Sequence, residues 1–379
     1  MPKLRRSNRP VLLTLGILLV VAVAVLLLQQ STRRNQILLG AVLPLTGQYA
    51  QYGTVPRNAI DLAIEQRKAA GFPYSVTVQY EDTQLRPTLA LTAIRKLIDV
   101  HHVPVVIGAA GSNETEVIGP IAQENHVVLI SPSSTAASLS AIGNFFFRTI
   151  PTDTYEGTYM ARFLHDRKVG RIAIFAVNDT GTKSLADSFR EEFLRLGGTV
   201  AVYVLAPKDA NDLRTQITAL RSASPQAVFL VGYAIETGVF LRQADELGLR
   251  LPLYSAHPAE APEVRTIAGP AADGLIFSTP ARTGTSEAAS QFERAYRARY
   301  GQEPGEFAPE SYDATMLVLD AIREVGPSAT AIRDYLHAIK NYNGASGLIT
   351  FSPNGDVEKP ISVMIIRNGQ VVPFETKDQ

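Results

Sequence analysis

Two loops rich in hydroxyl side chains follow short apolar runs in the first third of the chain. Val103–Ile107 leads into Gly111-Ser112-Asn113, and Val127–Ile130 leads into Ser131-Pro132-Ser133-Ser134-Thr135. Hydroxyl groups and free backbone N–H groups at helix starts are donors suited to a small anion such as a carboxylate. The alternative is that these side chains only cap helices. Ser112 and Thr135 are the first candidates for ligand binding.

The segment between these loops predicts how they come together. Val117, Ile118, Ile121 and Ala122 recur there at helical spacing, whereas the two flanking runs are short and β-branched. This pattern predicts one parallel strand–helix–strand unit. Since the carboxyl ends of parallel strands meet at one edge of the sheet, both loops lie where open α/β sheets bind ligands.

Composition excludes several classes of function. The chain has 379 residues, too many for one ordinary core, which predicts two domains. Lys+Arg and Asp+Glu are both 36 and no basic cluster with interleaved aromatics occurs, so we expect no nucleic-acid partner. Cysteine is absent and the 6 histidines lack metal-binding spacing, so we expect neither a metal nor a cofactor.

No catalytic motif is evident, and we expect that the protein is not an enzyme. Gly181-Thr182-Lys183-Ser184 superficially resembles a phosphate-binding loop, but the G-x-x-x-x-G-K spacing is absent. There is no G-x-S-x-G elbow and no nucleophile–base pair visible in the sequence.

The amino terminus predicts export. Val11–Leu28 is an aliphatic run whose helical length, roughly 27 Å, matches the hydrocarbon thickness of a bilayer. Basic residues before it outnumber those after it, which keeps the amino terminus in the cytoplasm. A cleaved signal peptide is the alternative. Because Ala22-Val23-Ala24 lies inside the run and Gln29-Gln30-Ser31 is a poor cleavage site, we favour an uncleaved membrane anchor, with the rest periplasmic.

Two successive β/α alternations follow the anchor. The first begins at Ile37–Leu43 and ends at Phe145–Ile150, after which Pro151-Thr152-Asp153 marks a boundary. The second has five predicted strands: Arg171–Val177, Thr199–Leu205, Ala227–Val231, Leu251–Ser255 and Gly274–Ser278. Two such series predict two doubly wound lobes.

The last section of the chain is mostly helical. Glu287–Tyr300, Phe307–Val325 and Ala329–Ile339 predict helices with no strand among them. Such helices must cover a sheet already formed, so we expect the chain to return to the first lobe and end in the second. Gly347–Phe351 and Lys359–Ile366 predict strands joined by a turn.

Six segments, in order and suitably spaced, resemble one known family: GAVLPLTGQYAQYG, VIGAAGSN, ISPSSTA, FFFRTIPTD, VGYAIETGVFLRQADELGL and IAGPAADGL. Together they are similar to the periplasmic branched-chain amino-acid-binding protein family, the type I solute-binding proteins of ABC transporters, over about residues 37–370. The resemblance implies an α/β fold of two three-layer α/β/α lobes joined by three crossovers, here preceded by one transmembrane helix. Hinged closure on a ligand is the known behaviour of such proteins.

The resemblance implies a domain division. Residues 1–36 are the cytoplasmic stub and anchor, 37–151 with 281–344 are lobe 1, and 152–280 with 345–379 are lobe 2. The crossovers are expected near Ile150–Asp153, Ser278–Arg282 and Asn343–Gly347.

The resemblance also assigns site residues. Ser112 matches a serine that binds the ligand carboxylate, and the loop that holds carboxylate and amine is matched by Ser133, Ser134 and Thr135. Tyr52 and Tyr233 match aromatic residues of the pocket. In two places the sequence departs from the family. Asp179–Lys183 lacks the family's aromatic residue, and the family's amine-binding glutamate appears as His257.

Glu236 is the candidate for the missing negative charge. It lies in the first turn of a predicted helix, where a solvated carboxylate favoured by the helix dipole is the alternative. We therefore expect a solute-binding protein that captures an amino acid, or a related carboxylate or amide, for an ABC permease. The alternative function is a membrane-tethered sensing ectodomain without transport.

Overall fold

The computed structural model describes residues 36–281 and 286–375, which form two sheets and a small hairpin. The first sheet contains five strands: β1 (Gln36–Leu43), β2 (Ser75–Asp82), β3 (Val105–Gly108), β4 (Val128–Ser131) and β5 (Phe146–Arg148). Their order is β2-β1-β3-β4-β5, and all neighbours are parallel. The predicted parallel unit is thus the β3–β4 pair, with both hydroxyl loops at its carboxyl edge.

The second sheet contains seven strands: β6 (Arg171–Val177), β7 (Thr199–Ala206), β8 (Ala227–Val231), β9 (Leu253–Ser255), β10 (Ile276–Pro280), β13 (Ile361–Arg367) and β14 (Gln370–Pro373). The remaining strands, β11 (Tyr342–Gly344) and β12 (Gly347–Ile349), form a separate antiparallel hairpin. The strand order of this sheet is β14-β13-β10-β9-β8-β6-β7. β13 runs antiparallel to both of its neighbours, β10 and β14.

Helices cover both sheets. They are α1 (Gln51–Ala69), α2 (Pro87–Arg95), α3 (Ser112–Glu124), α4 (Asp153–Asp166), α5 (Thr180–Arg195), α6 (Arg214–Ser222), α7 (Ala234–Glu246), α8 (Pro262–Ala268), α9 (Glu287–Tyr300), α10 (Ala308–Val325) and α11 (Ala329–His337). Single turns of other helix types cover Lys96–Val100, Ala137–Ala141, His257–Glu260 and Gly269–Ala272.

The first sheet is buried on both faces. On one face the apolar stripes of α10 and α11 pack against strand residues such as Ile107 and Ile130. On the other face Ile94 and Ile118, from α2 and α3, pack against Val106. We call this unit the first lobe, and the second sheet with α4–α8 the second lobe. Full burial of the parallel strands explains their continuous apolar runs.

The chain passes between the lobes three times. The first passage lies between β5 and α4, and the second follows β10, where residues 282–285 lie outside the described residues. Ile349, Phe351 and Val357 still pack in the core of the first lobe. The third passage therefore lies between Val357 and Ile361, after the predicted Asn343–Gly347. The exact domain boundaries stay predictions.

The carboxyl-terminal strands differ from the sequence-based prediction. β12 pairs with β11, and β13 pairs with β10 and β14, so the two predicted strands of this region do not pair with each other. The reason is that the chain changes lobes between them. β11 and β14 are too short to give a clear alternating pattern, and the sequence analysis missed both.

No helix among the described residues is long and apolar enough to cross a bilayer. The predicted anchor, Val11–Leu28, lies outside the described residues.

Arg148 ties the end of β5 to its surroundings and is fully buried. Its Nε donates to Asp356 Oδ1 at 2.6 Å, and its Nη2 donates to Ser140 Oγ at 2.6 Å. Its Nη1 donates to the carbonyl oxygens of Ser134 at 3.3 Å and Ala136 at 2.9 Å. Arg148 thus fixes the backbone on both sides of Thr135.

We predict that Arg148→Met lowers the free energy of unfolding by about 3–5 kcal/mol, because Asp356 and two carbonyl groups lose their buried donor. Urea denaturation measures this change. The control is Arg297→Met, which removes an exposed pair with Glu303 and is expected to cost about 1 kcal/mol or less. Equal losses in the two variants would contradict the role of Arg148.

Candidate functional site

A cavity lies between the lobes. Its walls come from the carboxyl edges of both sheets and from the segment before α10. The lining residues used below are Tyr52, Ser112, Ser133, Thr135, Asp153, Tyr233, His257, Glu306 and Phe307. Six of the eight predicted site residues are therefore brought together.

Ser112 begins α3 and has a hydroxyl oxygen that is already fully used as an acceptor. Its Oγ accepts hydrogen bonds from the backbone N–H groups of Thr135 and Ala136, both at 3.1 Å. A hydroxyl group has two acceptor positions and one donor. The O–H of Ser112 therefore remains as a donor for an acceptor such as a ligand carboxylate.

The other two serines of the second loop are used differently. The Ser133 hydroxyl lines the cavity but donates to the Ala110 carbonyl at 3.0 Å. The Ser134 hydroxyl donates to the Ala109 carbonyl at 3.0 Å and meets Thr115 Oγ1 at 2.7 Å. Ser134 does not line the cavity, because its side chain is turned into the protein between β3 and β4.

The predicted tyrosines line the cavity from opposite lobes and lie 5.8 Å apart between ring centroids. The Tyr52 hydroxyl accepts from the backbone N–H of Ala234 at 2.9 Å, which links the first lobe to the start of α7. The Tyr233 hydroxyl donates to Asp179 Oδ1 at 2.7 Å. Both tyrosines therefore have defined positions that pack the wall of the cavity.

Glu236 is fully buried in the first turn of α7, but it does not line the cavity. Its Oε1 lies 2.6 Å from the Tyr49 hydroxyl of the first lobe and accepts from the backbone N–H of Asp209 at 3.1 Å. The Tyr49 hydroxyl also lies 2.6 Å from Asp209 Oδ1. Glu236 is neither solvated nor placed to meet a ligand, and it instead holds the lobes together.

His257 lines the cavity and forms an ion pair with Glu156 on α4. Its Nδ1 lies 2.7 Å from Glu156 Oε2, and its backbone N–H donates to Glu156 Oε1 at 3.1 Å. Burial lowers the pKa of His257, but the negative charge and hydrogen bond of Glu156 outweigh burial and raise it to about 9. His257 is therefore a cation whose charge Glu156 already offsets.

Two acidic residues of the cavity were missed by the sequence analysis. Among the described residues, only Asp153 and Glu306 have both carboxylate oxygens buried without a hydrogen-bond donor in good geometry. Burial raises the pKa of Asp153 to about 6 and that of Glu306 to about 8. Both acids line the same cavity, where a cationic group of a ligand would neutralise them.

For Asp153, the sequence contained a feature that could have indicated its position at the cavity. Asp153 belongs to Pro151-Thr152-Asp153, a segment recognised only as a boundary, and its backbone N–H donates to the Thr135 carbonyl at 2.8 Å. Glu306 had no comparable signal, because only the return of α10 to the first lobe brings it to the cavity.

The two lobes are in direct contact around the cavity. Lys208 Nζ donates to the Leu85 carbonyl at 3.0 Å. Farther along the cleft, Ser184 Oγ accepts from the backbone N–H of Ala137 at 3.0 Å. The lobes also approach each other closely at Gly181, where an added Cβ would lie 3.3 Å from Ser112 Oγ. This is a closed arrangement that encloses the cavity.

Comparison with known proteins identifies the family. A model described as periplasmic binding protein matches residues 36–370. The chain belongs to this family. It is 26% identical to Leu/Ile/Val-binding protein homolog 3 of Brucella melitensis over 89% of this chain and 94% of the relative. A leucine-, isoleucine-, valine-, threonine- and alanine-binding protein of Pseudomonas aeruginosa is 26% identical over 83% of this chain and 85% of the relative.

Solved structures of the family agree. A leucine-binding protein from Thermotoga maritima matches with a TM-score of 0.85 and 30% identity, over 89% of this chain and 98% of that one. A branched-chain amino-acid transporter substrate-binding protein from Streptococcus pneumoniae, solved in complex with isoleucine, matches with a TM-score of 0.82 and 26% identity. The match covers 89% of this chain and 97% of that one. The predicted type I periplasmic-binding-protein fold is confirmed. The chain is a solute-binding protein and not an enzyme.

The ion pair of this binding protein makes its stability depend on pH. Because the pKa of His257 is raised from 6.5 to about 9 in the folded state, its stabilising contribution is complete below pH 6.5 and is lost as the pH rises through 9. We predict that the stability difference between wild type and His257→Gln shrinks between pH 6 and about 9.5.

Urea denaturation at several pH values measures this difference. His165→Gln changes a half-exposed histidine on α4 and serves as the control, with no comparable loss expected. A difference between wild type and His257→Gln that stays constant with pH would show that the pair is not ionised as described.

Proposed function

We propose that this protein captures a small α-amino acid between its lobes and delivers it to an ABC permease. The observation that supports this proposal is one enclosed cavity with complementary groups. Ser112 contributes a hydroxyl free only to donate. Asp153 contributes a carboxylate that has the Thr135 and Ser184 hydroxyls nearby but no hydrogen bond in good geometry. An α-amino acid carries a matching carboxylate and ammonium group on one carbon atom.

The two groups lie close together in the structure. Ser112 Oγ accepts from the backbone N–H of Thr135, and the carbonyl of the same residue accepts from the backbone N–H of Asp153. Charge-assisted hydrogen bonds to a ligand contribute about 1.5–3 kcal/mol each. Thr135 therefore connects the proposed carboxylate-binding position to the proposed ammonium-binding position. Asp153, rather than the sequence-based candidate Glu236, is then the residue that binds the amine.

Relatives support an amino-acid ligand of some kind, since several carry amino-acid-binding names and one structure contains isoleucine. For the membrane, we propose export with the predicted helix Val11–Leu28 left uncleaved, which keeps the binding protein close to its permease. Amino-terminal sequencing of the mature protein distinguishes this anchor from a cleaved signal peptide.

Two variants separate the carboxylate and ammonium contacts. We predict that Ser112→Ala weakens binding of amino acids and of matching acids without an amine, whereas Asp153→Asn weakens only the amino acids. Each loss is expected to be about 1–3 kcal/mol. Isothermal titration with a panel of L-amino acids and their deaminated analogues measures both effects. Ser138→Ala, in the exposed part of the same region, is the control.

The proposal is overturned if no amino acid or carboxylate in the panel binds. It is also overturned if Ser112→Ala and Asp153→Asn both bind as tightly as wild type, because the ligand would then lie elsewhere.

A further variant tests closure. Tyr49→Phe removes a hydroxyl that lies 2.6 Å from both Asp209 and Glu236 of the second lobe. We predict about 1–3 kcal/mol weaker ligand binding and a larger radius of gyration without ligand, measured by titration and X-ray scattering.

Tyr80→Phe is the matched control, because the Tyr80 hydroxyl donates to Asp61 at 2.6 Å within the first lobe. That change is expected to alter neither affinity nor the radius of gyration. Equal effects of Tyr49→Phe and Tyr80→Phe would contradict a specific role of Tyr49 in closure.

A further inference from the structure

Glu306 is a partly buried acid whose carboxylate oxygens are buried, and a ligand with a single ammonium group at Asp153 leaves it unused. It precedes α10 and lines the cavity next to Phe307. Neither of its carboxylate oxygens has a donor among the described residues, and both are inaccessible to water. Burying a carboxylate without a partner is strongly unfavourable. A positive group that enters the cavity would remove this penalty.

Glu306 and Asp153 differ in most of their charged neighbours. The charged neighbours of Glu306 are His257, Glu260, Glu263 and Glu310. Those of Asp153 are His257 and Glu156, and neither acid is among the main neighbours of the other. His257 influences both acids. Asp153 donates its backbone N–H to the Thr135 carbonyl, whereas Glu306 is next to Phe307, whose ring packs near Tyr52. The cavity thus offers two acidic positions, and a ligand with a single ammonium group at Asp153 leaves the second one without a cation.

The surroundings of Glu306 suit a cation in other ways. The rings of Tyr52 and Phe307 lie 6.1 Å apart between centroids and both line the cavity. Aromatic faces attract ammonium and guanidinium groups. Phe307 adopts φ 63, a left-handed conformation that is strained for a bulky residue. The segment is thus held in an unfavourable backbone conformation at the place where Glu306 and Phe307 meet the cavity.

We propose that the ligand is an α-amino acid with a second cationic group on its side chain, and that Glu306 selects it. This inference rests on the proposed function, in which Ser112 and Asp153 hold the α-carboxylate and α-ammonium groups. The side-chain ammonium or guanidinium group then pairs with Glu306 between the rings of Tyr52 and Phe307. A purely aliphatic side chain leaves Glu306 buried and unpaired.

Titration of full-length protein in detergent with L-lysine, L-ornithine and L-arginine tests this assignment against L-norleucine. Norleucine has the carbon chain of lysine without its side-chain ammonium group. We expect at least one dibasic amino acid to bind about tenfold or more tightly than norleucine. In Glu306→Gln this preference is expected to fall to about threefold or less, with norleucine affinity nearly unchanged.

Glu303→Gln is the matched control, because Glu303 lies on the same segment but is exposed and pairs with Arg297. It is expected to keep the wild-type preference. Norleucine binding as tightly as every dibasic amino acid in wild type would overturn the inference. A Glu306→Gln variant that weakens lysine and norleucine equally would also overturn it, since both acids would then share the α-ammonium group.

A measurement on wild-type protein avoids dependence on variant folding. Burial raises the pKa of Glu306 to about 8, with His257 opposing this rise and the three neighbouring glutamates adding to it. The carboxyl group is therefore mostly protonated in the empty cavity at pH 7 and ionises when a cation binds. Binding heats in buffers of different ionisation enthalpy should show that lysine releases up to about one more proton than norleucine.

Equal proton release by lysine and norleucine would contradict a contact between Glu306 and the side-chain cation. The two proposals fail in different ways. If no amino acid binds, the proposed function itself fails. If neutral amino acids bind without any preference for dibasic ones, only the assignment of Glu306 fails.

Discussion

Two acids whose carboxylate oxygens are buried without a hydrogen-bond donor in good geometry are the constraint on which the closed structure depends. Elsewhere the protein supplies partners to buried acids, as Arg148 does for Asp356 and His257 does for Glu156. Among the described residues no donor in good geometry reaches the carboxylate oxygens of Asp153 and Glu306, although the Thr135 and Ser184 hydroxyls lie near Asp153 and His257 attracts both acids. Closing the lobes over these acids alone requires either a desolvated charge or an added proton, and a cationic group removes that cost. A ligand with the right charge therefore shifts the equilibrium towards closure.

The direct contacts between the lobes include both packed tyrosine rings and hydrogen bonds. Tyr49, Tyr52 and Lys208 form hydrogen bonds across the cleft with groups that water also satisfies in an open form. A hydrogen bond between neutral groups, as at Tyr52, contributes about 0.5–1.5 kcal/mol net, and one that involves a charged group contributes about 1.5–3 kcal/mol. Such contacts position the closed state without making it irreversible, which is what a protein that must release its ligand requires.

The sequence predicted the fold well because parallel strands buried on both faces give continuous apolar runs, as in β3 and β4. Ser112 and Thr135 line the cavity because they follow such strands, and their role in binding stays a prediction. Ser134 and Glu236 do not line it, since the sequence does not show which way a loop or helix side chain turns. Glu306 was missed because its position at the cavity depends on the return of α10 to the first lobe.

The position of the passages determines which part of the site is already formed before closure. Asp153 follows the first passage directly, and Pro151 forms a parallel bridge with Val357 beside the third passage. Near these passages, Arg148 also holds the carbonyl groups of Ser134 and Ala136, which flank Thr135. A rotation about the passages moves nearby groups least. We therefore expect the proposed α-carboxylate and α-ammonium positions to persist in an open form, with closure adding the contacts made by the more distant second-lobe residues.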